Sequence, residues 1–287
     1  MRSVSVVIPN YNGQHLLEKN LPAVISSCPQ AEIIVVDDAS SDNSINFLTK
    51  TYPKVKIVSN KINQRFALSC NKGVKSAKYN IVVLLNNDVS PQKDFLQPLI
   101  KHFDNSQVFA VGCLEIQTKG NKQTISGRSS CQFKRGFLIH KKAKNQNKQQ
   151  TCWATAGSMA LDKQKYLDLN GMDSLFSPAY WEDIDLSYRA KKKGWQVLFE
   201  HKSKVYHNHE TTNLQAFGKT RIELMALRNQ ILFVWKNTQG LQLIKHFLWL
   251  PYHLIFTTIR TKGIFLLAFI QAILRINKIK RLPAGQN

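Results

Sequence analysis

Three apolar runs in the first third of the sequence each end in a cluster of polar residues. The clusters are Pro9, Asn10, Tyr11 and Asn12, then Asp37 and Asp38, then Asn86, Asn87 and Asp88. Carboxylates such as Asp37 and Asp38 could accept hydrogen bonds from a base or a ribose, and Asp88 among amides suits a hard divalent ion that also holds phosphate. Any one of these clusters could simply be the turn that ends a strand, since Asn, Asp and Pro are common in turns. Three together, without GxGxxG or GxxxxGK[ST], favour a nucleotide site that is neither Rossmann nor P-loop.

A second acidic cluster, WEDIDLSYR, contains Glu182, Asp183 and Asp185. On a helix Glu182 and Asp185 share a face, whereas Asp183 is rotated by about 100° from Glu182. One acid can therefore face a ligand while another is held by the structure. The alternative is a first helical turn enriched in acids by the helix dipole. That alternative does not explain the coincidence with the upstream clusters, so we favour a catalytic role.

Two histidines follow in VYHNHE, and on a strand His207 and His209 would point the same way. A neutral imidazole could bind a divalent ion, and a protonated one could bind a diphosphate. A structural role is the alternative for either residue.

The elements that must position these residues alternate between strand and helix. Nearly continuous Val, Ile and Leu content predicts strands buried on both faces. These runs are SVSVVIP from Ser3, EIIVVDD from Glu32 and YNIVVLLNND from Tyr79, with a fourth over Val55–Ser59. Helices are predicted between them, over Gln14–Ser27 and Ser44–Thr51. This order predicts a parallel α/β sheet, whose ligands bind at the carboxyl ends of the strands.

Composition bounds the class of protein. The 287 residues are 43% hydrophobic, which excludes disorder, collagen and a small disulfide scaffold. Five scattered cysteines show no CxxC spacing and leave one over if paired, so we expect a reducing compartment. The N-terminus carries no long apolar stretch of a signal peptide, which predicts a cytosolic protein.

The formal charge of +22 is unevenly distributed. The excess is +3 over residues 1–118, +9 over 119–163, +2 over 164–228 and +8 over 229–287. Nearly all acids lie in the two near-neutral regions, where acid-dependent chemistry is expected. Those regions carry no continuous basic stripe, which argues against nucleic-acid binding.

The C-terminal segment contains two apolar runs, FLWLPYHLIF from Phe247 and IFLLAFIQAIL from Ile264. Each is shorter than the ~18–20 apolar residues that a spanning helix requires. Basic residues flank the runs without any acid: Lys236, Lys245, Arg260, Lys262, Arg275, Lys278, Lys280 and Arg281. This pattern favours two amphipathic helices lying on an anionic lipid surface. The alternative is a pair of ordinary core helices with solvated basic residues.

Four stretches in this order carry a family resemblance: VSVVIPNYNG, IIVVDDASSDNS, NQRFALSCNKGVKSAKYNIVVLLNNDV and TAGSMALDKQKYLDLNGMDSLFSPAYWEDIDLSYRAKKKGW. From about Val4 to Asn213 the chain resembles family 2 glycosyltransferases of the GT-A fold, especially the bacterial rhamnosyltransferase-like branch. The resemblance implies an α/β fold with a mixed, mainly parallel central sheet. We expect a transferase domain over 1–228, with a nucleotide-binding half 1–118 and an acceptor half 119–228, followed by a membrane-associating segment 229–287.

The resemblance also implies residues for the donor side of the site. Pro9 to Asn12, Asp37 and Asp38 would surround the nucleotide of a sugar donor, and Asn71 would line the same pocket. LLNNDV matches the DxD motif of the family, so Asp88 would bind Mg²⁺ or Mn²⁺ on the donor diphosphate. Asn86 replaces the first acid of that motif, which implies weaker metal binding. Arg65 stands where the family usually has Gly, and could reach the diphosphate or point to solvent.

On the acceptor side, the resemblance assigns the general base to Asp183, with Glu182 and Asp185 as supporting acids. His207 would join Asp88 on the metal, and Gly157 would lie where sugar and acceptor approach closely. The expected activity is inverting transfer from a nucleotide-diphosphate sugar to a saccharide or lipid-linked saccharide in cell-envelope polysaccharide synthesis, at the cytoplasmic face of the cell membrane. The alternatives are transfer to a polyprenyl phosphate, or a non-catalytic basic membrane protein with a transferase fold.

Overall fold

A mixed β-sheet forms the centre of the protein, whose computed structural model describes residues 2–120, 122–207 and 212–280. Within these residues the sheet has nine strands in the order β3-β2-β1-β4-β10-β6-β11-β5, with β7 paired to β6. The strands of the chain are β1 Val4–Asn10, β2 Glu32–Asp37, β3 Lys56–Ser59, β4 Ile81–Leu85, β5 Val89–Pro91, β6 Val108–Lys119, β7 Lys122–Ser126, β8 Ser129–Lys134, β9 Phe137–Lys142, β10 Ser158–Asp162 and β11 Gln196–His207. Strands β8 and β9 form a separate hairpin.

Helices cover the sheet and extend beyond it. They are α1 Gln14–Ser27, α2 Ser44–Thr51, α3 Arg65–Ser76, α4 Leu96–Lys101, α5 Lys163–Asp168, α6 Glu182–Lys192, α7 Thr212–Asn237, α8 Gly240–Tyr252, α9 Thr258–Arg260 and α10 Ile264–Ile273. Short 3₁₀ turns occupy His102–Asp104, Ser174–Phe176 and Ile276–Lys278, and a π-helical turn, His253–Thr257, joins α8 to α9.

The predicted N-terminal alternation is confirmed. Helices α1 and α2 have the predicted bounds, and β1, β2, β3 and β4 pair in parallel. Because these strands run the same way, their carboxyl ends meet at one edge of the sheet. Antiparallel pairing begins at β10, which lies between β4 and β6. The sheet is therefore mixed, as the resemblance implies.

Three apolar clusters form the core. Because side chains alternate along a strand, Val6 and Ile8 of β1 enter the cluster under α1, α2 and α4, whereas Val7 enters the one under α3, α5 and α6. The third cluster joins α6 and α7 to α10 and to the β8–β9 hairpin. It contains Trp181, next to the acidic cluster of α6, so the same packing supports the C-terminal helices and the start of α6.

Two of the five cysteines are paired, and the expected reducing compartment stays a prediction. Cys131 in β8 and Cys152 are paired as a disulfide, whereas Cys28, Cys70 and Cys113 are free and buried. The two paired cysteines lie in the basic region 119–163 and are 21 residues apart in the sequence. Their pairing follows from the chain returning past the β8–β9 hairpin, which the sequence did not reveal.

The C-terminal segment begins inside a helix. Helix α7 runs past the proposed boundary at residue 228, and Ile231–Trp235 are buried in the third cluster. Whether the segment from 229 onward folds apart from the first 228 residues stays a prediction. Across the described ranges, the helices are too short or too polar for any of them to span a bilayer.

Candidate active site

An open cleft of about 880 Å³ lies at the carboxyl ends of the parallel strands. It is bounded by the ends of β1, β4 and β11, by the start of α6 and by part of α7. Most residues predicted for the site line it: Pro9, Asn10, Tyr11, Asp38, Asn86, Asn87, Asp88, Gly157, Glu182, Asp183 and His207. The three strand-end clusters and the acidic cluster of α6 therefore form one site.

Two residues of the predicted nucleotide site position loops instead. Asp37 is fully buried, and its carboxylate accepts hydrogen bonds from the Ser40 backbone N–H at 3.0 Å and from Asn10 at 3.4 Å. The side-chain oxygen of Asn12 accepts from the Ser41 backbone N–H at 2.7 Å. These side chains stabilise the loops after β1 and β2, and their contact with a nucleotide stays a prediction.

The side chain of Asn71 also lies outside the cleft. Its side-chain oxygen accepts a hydrogen bond from the Tyr166 hydroxyl at 2.6 Å, and its amide donates to the Met172 carbonyl at 2.8 Å. Asn71 thus anchors α3 to the segment after α5. Asn71 is not among the residues that line the cleft, and its predicted role in nucleotide binding stays a prediction.

Asp185 points away from Glu182 and Asp183 into the protein. It is 0% exposed, and it accepts hydrogen bonds from Arg189 at 2.7 Å, from Lys236 at 3.0 Å and from Asn237 at 2.8 Å. These donors hold the pKa of Asp185 below its usual range, although burial opposes them. Asp185 joins α6 to the end of α7 and does not line the cleft, so its predicted support of catalysis through α6 stays a prediction.

Asp88 and His207 meet on the sheet side of the cleft. The Nε2 atom of His207 lies 3.3 Å from Asp88, and its Nδ1 atom lies 3.2 Å from Glu115. Burial disfavours the imidazolium, but these carboxylates outweigh burial and raise the pKa of His207 to about 10. A carboxylate behind the ring is the usual arrangement of a metal-binding histidine.

These residues fit a divalent cation. Within the described ranges, Oδ1 of Asn86 is buried without a hydrogen-bond partner, and the buried Oδ1 of Asp88 faces the His207 ring at 3.3 Å, as expected of oxygens aimed at an ion. No set of three His, Cys, Asp or Glu side chains in the described ranges is arranged as a metal site. Mg²⁺ commonly takes one or two carboxylates, with the remaining positions filled by phosphate and water. Asp88 and His207 would hold such an ion.

Gly157 permits a close approach in this part of the cleft. The backbone N–H of Asn86 donates to the Gly157 carbonyl at 2.9 Å. A Cβ atom on Gly157 would lie 2.8 Å from the Asn86 amide and 3.4 Å from the His207 ring. A side chain here would therefore displace the Asn86 amide, while it would meet the His207 ring at ordinary contact distance.

Glu182 and Asp183 face the cleft from the first turn of α6. Burial raises the pKa of Glu182 to about 8, and repulsion by Asp183 adds to the shift. Burial also raises the pKa of Asp183 to about 6, against hydrogen bonds from the backbone of Ala156 and Ile184. Oε2 of Glu182 is buried without a hydrogen-bond partner among the described residues. Burial and the mutual repulsion of the two carboxylates therefore favour a proton within this pair.

The turn before these acids has unusual backbone geometry. Tyr180 and Trp181 both have positive φ, 74° and 79°, which costs on the order of 1–3 kcal/mol each in residues other than glycine. Asn229 of α7 donates to the carbonyls of Phe176, Ala179 and Tyr180 at 2.7, 3.0 and 2.8 Å. This side chain holds the turn that aims Glu182 and Asp183.

The start of α3 forms the opposite end of the cleft. Asp38 accepts hydrogen bonds from the backbone N–H groups of Gln64 and Arg65, both at 2.8 Å, and from the Asn60 amide at 2.7 Å. Arg65 has a φ of 72° and lines the cleft. Its conformation is one that favours glycine, and its guanidinium brings a positive charge to this end of the site.

Aromatic rings form one wall of the cleft. The ring of His140 on β9 packs edge-on against Trp153 and Trp181, with centroids 4.9 and 5.2 Å apart. Trp153, Tyr180 and Trp181 line the cleft, whereas Trp195 stacks on Phe109 away from it.

Sequence reasoning missed Glu115, His140 and Asn229. Glu115 carries a signal, since it is a single acid inside the apolar run VFAVGCLEI. His140 and Asn229 carry none, because only the fold brings the hairpin and α7 to the site.

Fold and site together define a GT-A transferase. A mixed sheet with a cleft at the strand ends, lined by strand-end carboxylates and a pair of acids, is the arrangement of that class. The sequence model of the family described as glycosyl transferase family 2 matches residues 5–169. The chain belongs to glycosyl transferase family 2. The rhamnosyltransferase-like branch stays a prediction.

Individual relatives match shorter stretches. The chain is 30% identical over 133 residues to a poly-beta-1,6-N-acetyl-D-glucosamine synthase of Staphylococcus epidermidis, covering 45% of this chain and 32% of the relative. It is 32% identical over 98 residues to TuaG of Bacillus subtilis, a putative teichuronic acid biosynthesis glycosyltransferase, covering 33% of this chain and 39% of the relative. The chain thus spans well under half the length of these two relatives.

The fold resembles solved glycosyltransferases. A crystal structure of GalNAc-T7 with UDP, GalNAc and Mn²⁺ superimposes with a TM-score of 0.67 at 19% identity, over 82% of this chain and 48% of that chain. At that identity the likeness establishes the GT-A fold alone.

Proposed function

We propose that the protein is a metal-dependent inverting glycosyltransferase. It moves a sugar from a nucleotide-diphosphate sugar to a saccharide or lipid-linked saccharide in the synthesis of cell-envelope polysaccharide. The observation that carries this proposal is the single cleft that contains Asp38, Asp88 and the Glu182–Asp183 pair. The relatives support it, because their names place them in the synthesis of poly-N-acetylglucosamine and of teichuronic acid.

The donor occupies the half of the cleft formed by the strand ends. Tyr11 is 49% exposed at its rim, where its ring is free to stack on a base. Asp38 lies beside it with both oxygens oriented by backbone donors, and Arg65 offers positive charge to a diphosphate. Bound by Asp88 and His207, Mg²⁺ or Mn²⁺ would supply positive charge that stabilises the departing diphosphate.

Asp183 removes the proton from the acceptor hydroxyl as that oxygen attacks the anomeric carbon. General-base catalysis of this kind contributes typically 10²–10⁴-fold. Glu182 assists by holding the shared proton at neutral pH, which leaves Asp183 ionised. The nucleoside diphosphate leaves from the opposite face of the sugar, which inverts the anomeric configuration.

A base of this kind favours a hydroxyl acceptor over a polyprenyl phosphate. A phosphate acceptor is already anionic, so it would gain little from Asp183 and would be repelled by it. The edge-packed rings of His140, Trp153 and Trp181 offer an apolar wall on which a neutral sugar can pack.

The test is a screen of nucleotide sugars by calorimetry, with Mg²⁺, with Mn²⁺ and with chelator, for the wild type and Asp88→Ala. We expect metal to strengthen binding of at least one nucleotide-diphosphate sugar to the wild type. Asp88→Ala should lose that metal-dependent part and keep binding of the bare nucleoside. Failure of every nucleotide sugar to bind the wild type would contradict the proposal.

A further inference from the structure

The C-terminal helices expose an apolar face that no described element covers. We define this face by the outward side chains of α8, of the turn after it and of α10. Leu248, Ile259 and Leu274 are 74%, 72% and 76% exposed. Other members are Leu241, Ile244, Phe247, Trp249, Ile255, Phe256, Leu266, Leu267, Ile270 and Ile273. The opposite side of α10 is ordinary core, since Phe265, Ala268 and Ala272 pack into the third cluster. Exposed apolar side chains concentrated in one segment in this way are typical of an interaction site.

The charges around the apolar face have one sign. Residues 229–287 contain no Asp or Glu. Lys245, Arg260, Lys262, Lys278 and Lys280 are exposed beside the apolar residues. Two of the flanking basic residues face inward instead: Lys236 pairs with Asp173 at 2.7 Å, and Arg275 donates to the Ser177 carbonyl at 3.0 Å. Even without them, the exposed charge is uniformly positive.

The fold adds a second basic segment to the same region. The tip of the β8–β9 hairpin packs against α8. There Nδ1 of His246 lies 3.1 Å from the Gly136 carbonyl oxygen. Nε2 of the same ring accepts a hydrogen bond from the Trp235 side-chain N–H at 3.0 Å. A Cβ atom on Gly136 would lie 2.6 Å from the His246 backbone, so the close contact requires glycine. The two charge-rich regions, 119–163 and 229–287, are therefore adjacent in space.

A small basic pocket lies at this junction. It has a volume of about 300 Å³ and is lined by Phe133, Arg135, Gly136, Gln242, Lys245 and Trp249. The Arg135 guanidinium lies over the rings of Tyr252 and Trp249, 4.8 and 5.5 Å from their centroids, and donates to the Tyr252 hydroxyl at 2.7 Å. Two cationic groups beside an amide and exposed aromatic rings form a site for a phosphate at the edge of an apolar surface.

We propose that the apolar face docks on an anionic phospholipid bilayer, with a lipid phosphate held between Arg135 and Lys245. A bilayer supplies both the apolar phase for Leu248 and its neighbours and the negative charge for the basic rim. A second copy of the chain fits poorly, because it would bring two basic rims together. The proposal does not depend on the catalytic assignment.

Vesicle sedimentation of the full chain tests the proposal. The probes are vesicles of phosphatidylcholine alone and vesicles containing a third of phosphatidylglycerol, at 0.1 M and 1 M NaCl, with free inorganic phosphate as a competitor. We expect binding to the anionic vesicles at 0.1 M salt and partial release at 1 M, because the apolar contribution is insensitive to salt. Free phosphate at millimolar concentration should not displace the protein.

Two double variants separate the contribution of the basic residues to membrane binding from that of the apolar residues. Arg135→Gln with Lys245→Gln should weaken anionic-vesicle binding by more than tenfold, since each basic residue contributes on the order of fivefold. Leu248→Glu with Ile259→Glu should abolish the binding that survives 1 M salt. The matched control, Lys50→Gln with Lys54→Gln, removes the same charge from exposed positions on and after α2 and should change binding by less than twofold. Thermal melts verify that all three variants fold.

Three results would overturn the proposal. Full-length protein could ignore anionic vesicles at low salt, or bind neutral and anionic vesicles equally. The protein could also sediment as a dimer that Leu248→Glu with Ile259→Glu dissociates. That last result would assign the face to contact between copies of the chain.

Discussion

The Nδ1 atom of His207 lies 3.2 Å from Oε1 of Glu115, on the side of the ring opposite Asp88. Glu115 also accepts a hydrogen bond from the Ser158 hydroxyl at 2.7 Å, which orients the carboxylate. A carboxylate in this position fixes the ring, so that Nε2 faces the site for the cation. Glu115 would therefore be a positioning residue for the proposed cation site.

Glu115→Ala should weaken Mn²⁺ binding, because His207 loses the partner that orients it. The expected loss is about 10–100-fold in the apparent affinity for the ion, read from Mn²⁺ titrations of nucleotide-diphosphate binding. The matched control is Glu200→Ala, which removes another buried carboxylate paired with a histidine, His102 at 2.7 Å. An equal effect of both variants on Mn²⁺ affinity would show that Glu115 acts only through general stability.

The pH dependence of stability should reveal the buried carboxyl pair. Folding raises the pKa of Glu182 to about 8, so protons favour the folded state. The stabilisation is fully present below the unfolded pKa near 4 and is lost as pH rises through about 8. We expect the free energy of unfolding in urea to fall by about 3–4 kcal/mol between pH 5 and pH 8, since one pKa unit corresponds to about 1.4 kcal/mol. Glu182→Gln should flatten this dependence, and the exposed Glu18→Gln should leave it unchanged.

Substitution of Asp185 should lower the stability of the protein far more than substitution of Asp183. Asp185→Asn leaves the buried Arg189 and Lys236 with one carboxylate fewer, which costs about 3 kcal/mol or more. Asp183→Asn removes no salt bridge and should change the free energy of unfolding by much less. Urea unfolding of both variants at pH 7 measures the difference. Equal destabilisation would contradict the structural role of Asp185.

Asn229 should control the alignment of the acids. Asn229→Ala removes the donor to the Phe176, Ala179 and Tyr180 carbonyls, so the turn at Tyr180 and Trp181 can relax. We expect kcat to fall about tenfold or more while donor Kd stays within about threefold. Asn237→Ala, which removes another buried α7 asparagine, should lower stability and spare kcat. Loss of donor affinity with kcat unchanged would exclude the positioning role.

The N-terminal half was predictable because local rules decide it. Buried strands of Val and Ile, helices over Gln14–Ser27 and Ser44–Thr51, and polar strand ends are all visible in sequence. The parallel order then places Asn10, Asp38 and Asp88 together without further information. The positions of these strand-end residues therefore follow from the order of the parallel strands.

Side-chain direction was not predictable. Asp37 and Asp38 are neighbours, yet one stabilises a loop and the other lines the cleft. Asp185 was expected near Glu182 from helical spacing, but its direction is set by Arg189 and by Lys236, which is 51 residues away. Long-range partners of this kind leave no local pattern.

The central claim is that Asp183 of the acidic pair in α6 acts as the general base, and the Asp183→Asn variant tests it most directly. The measurement is kcat for transfer from the best nucleotide sugar of the screen, from pH 5 to pH 9, beside donor Kd. Because Asp183 must be ionised, wild-type kcat should be full above about pH 7 and be halved near pH 6 as pH drops.

Asp183→Asn should lower kcat by about 10²–10⁴-fold and abolish the loss below pH 6, while donor Kd stays within about threefold. Turnover near the wild-type value with an unchanged pH profile would contradict the account.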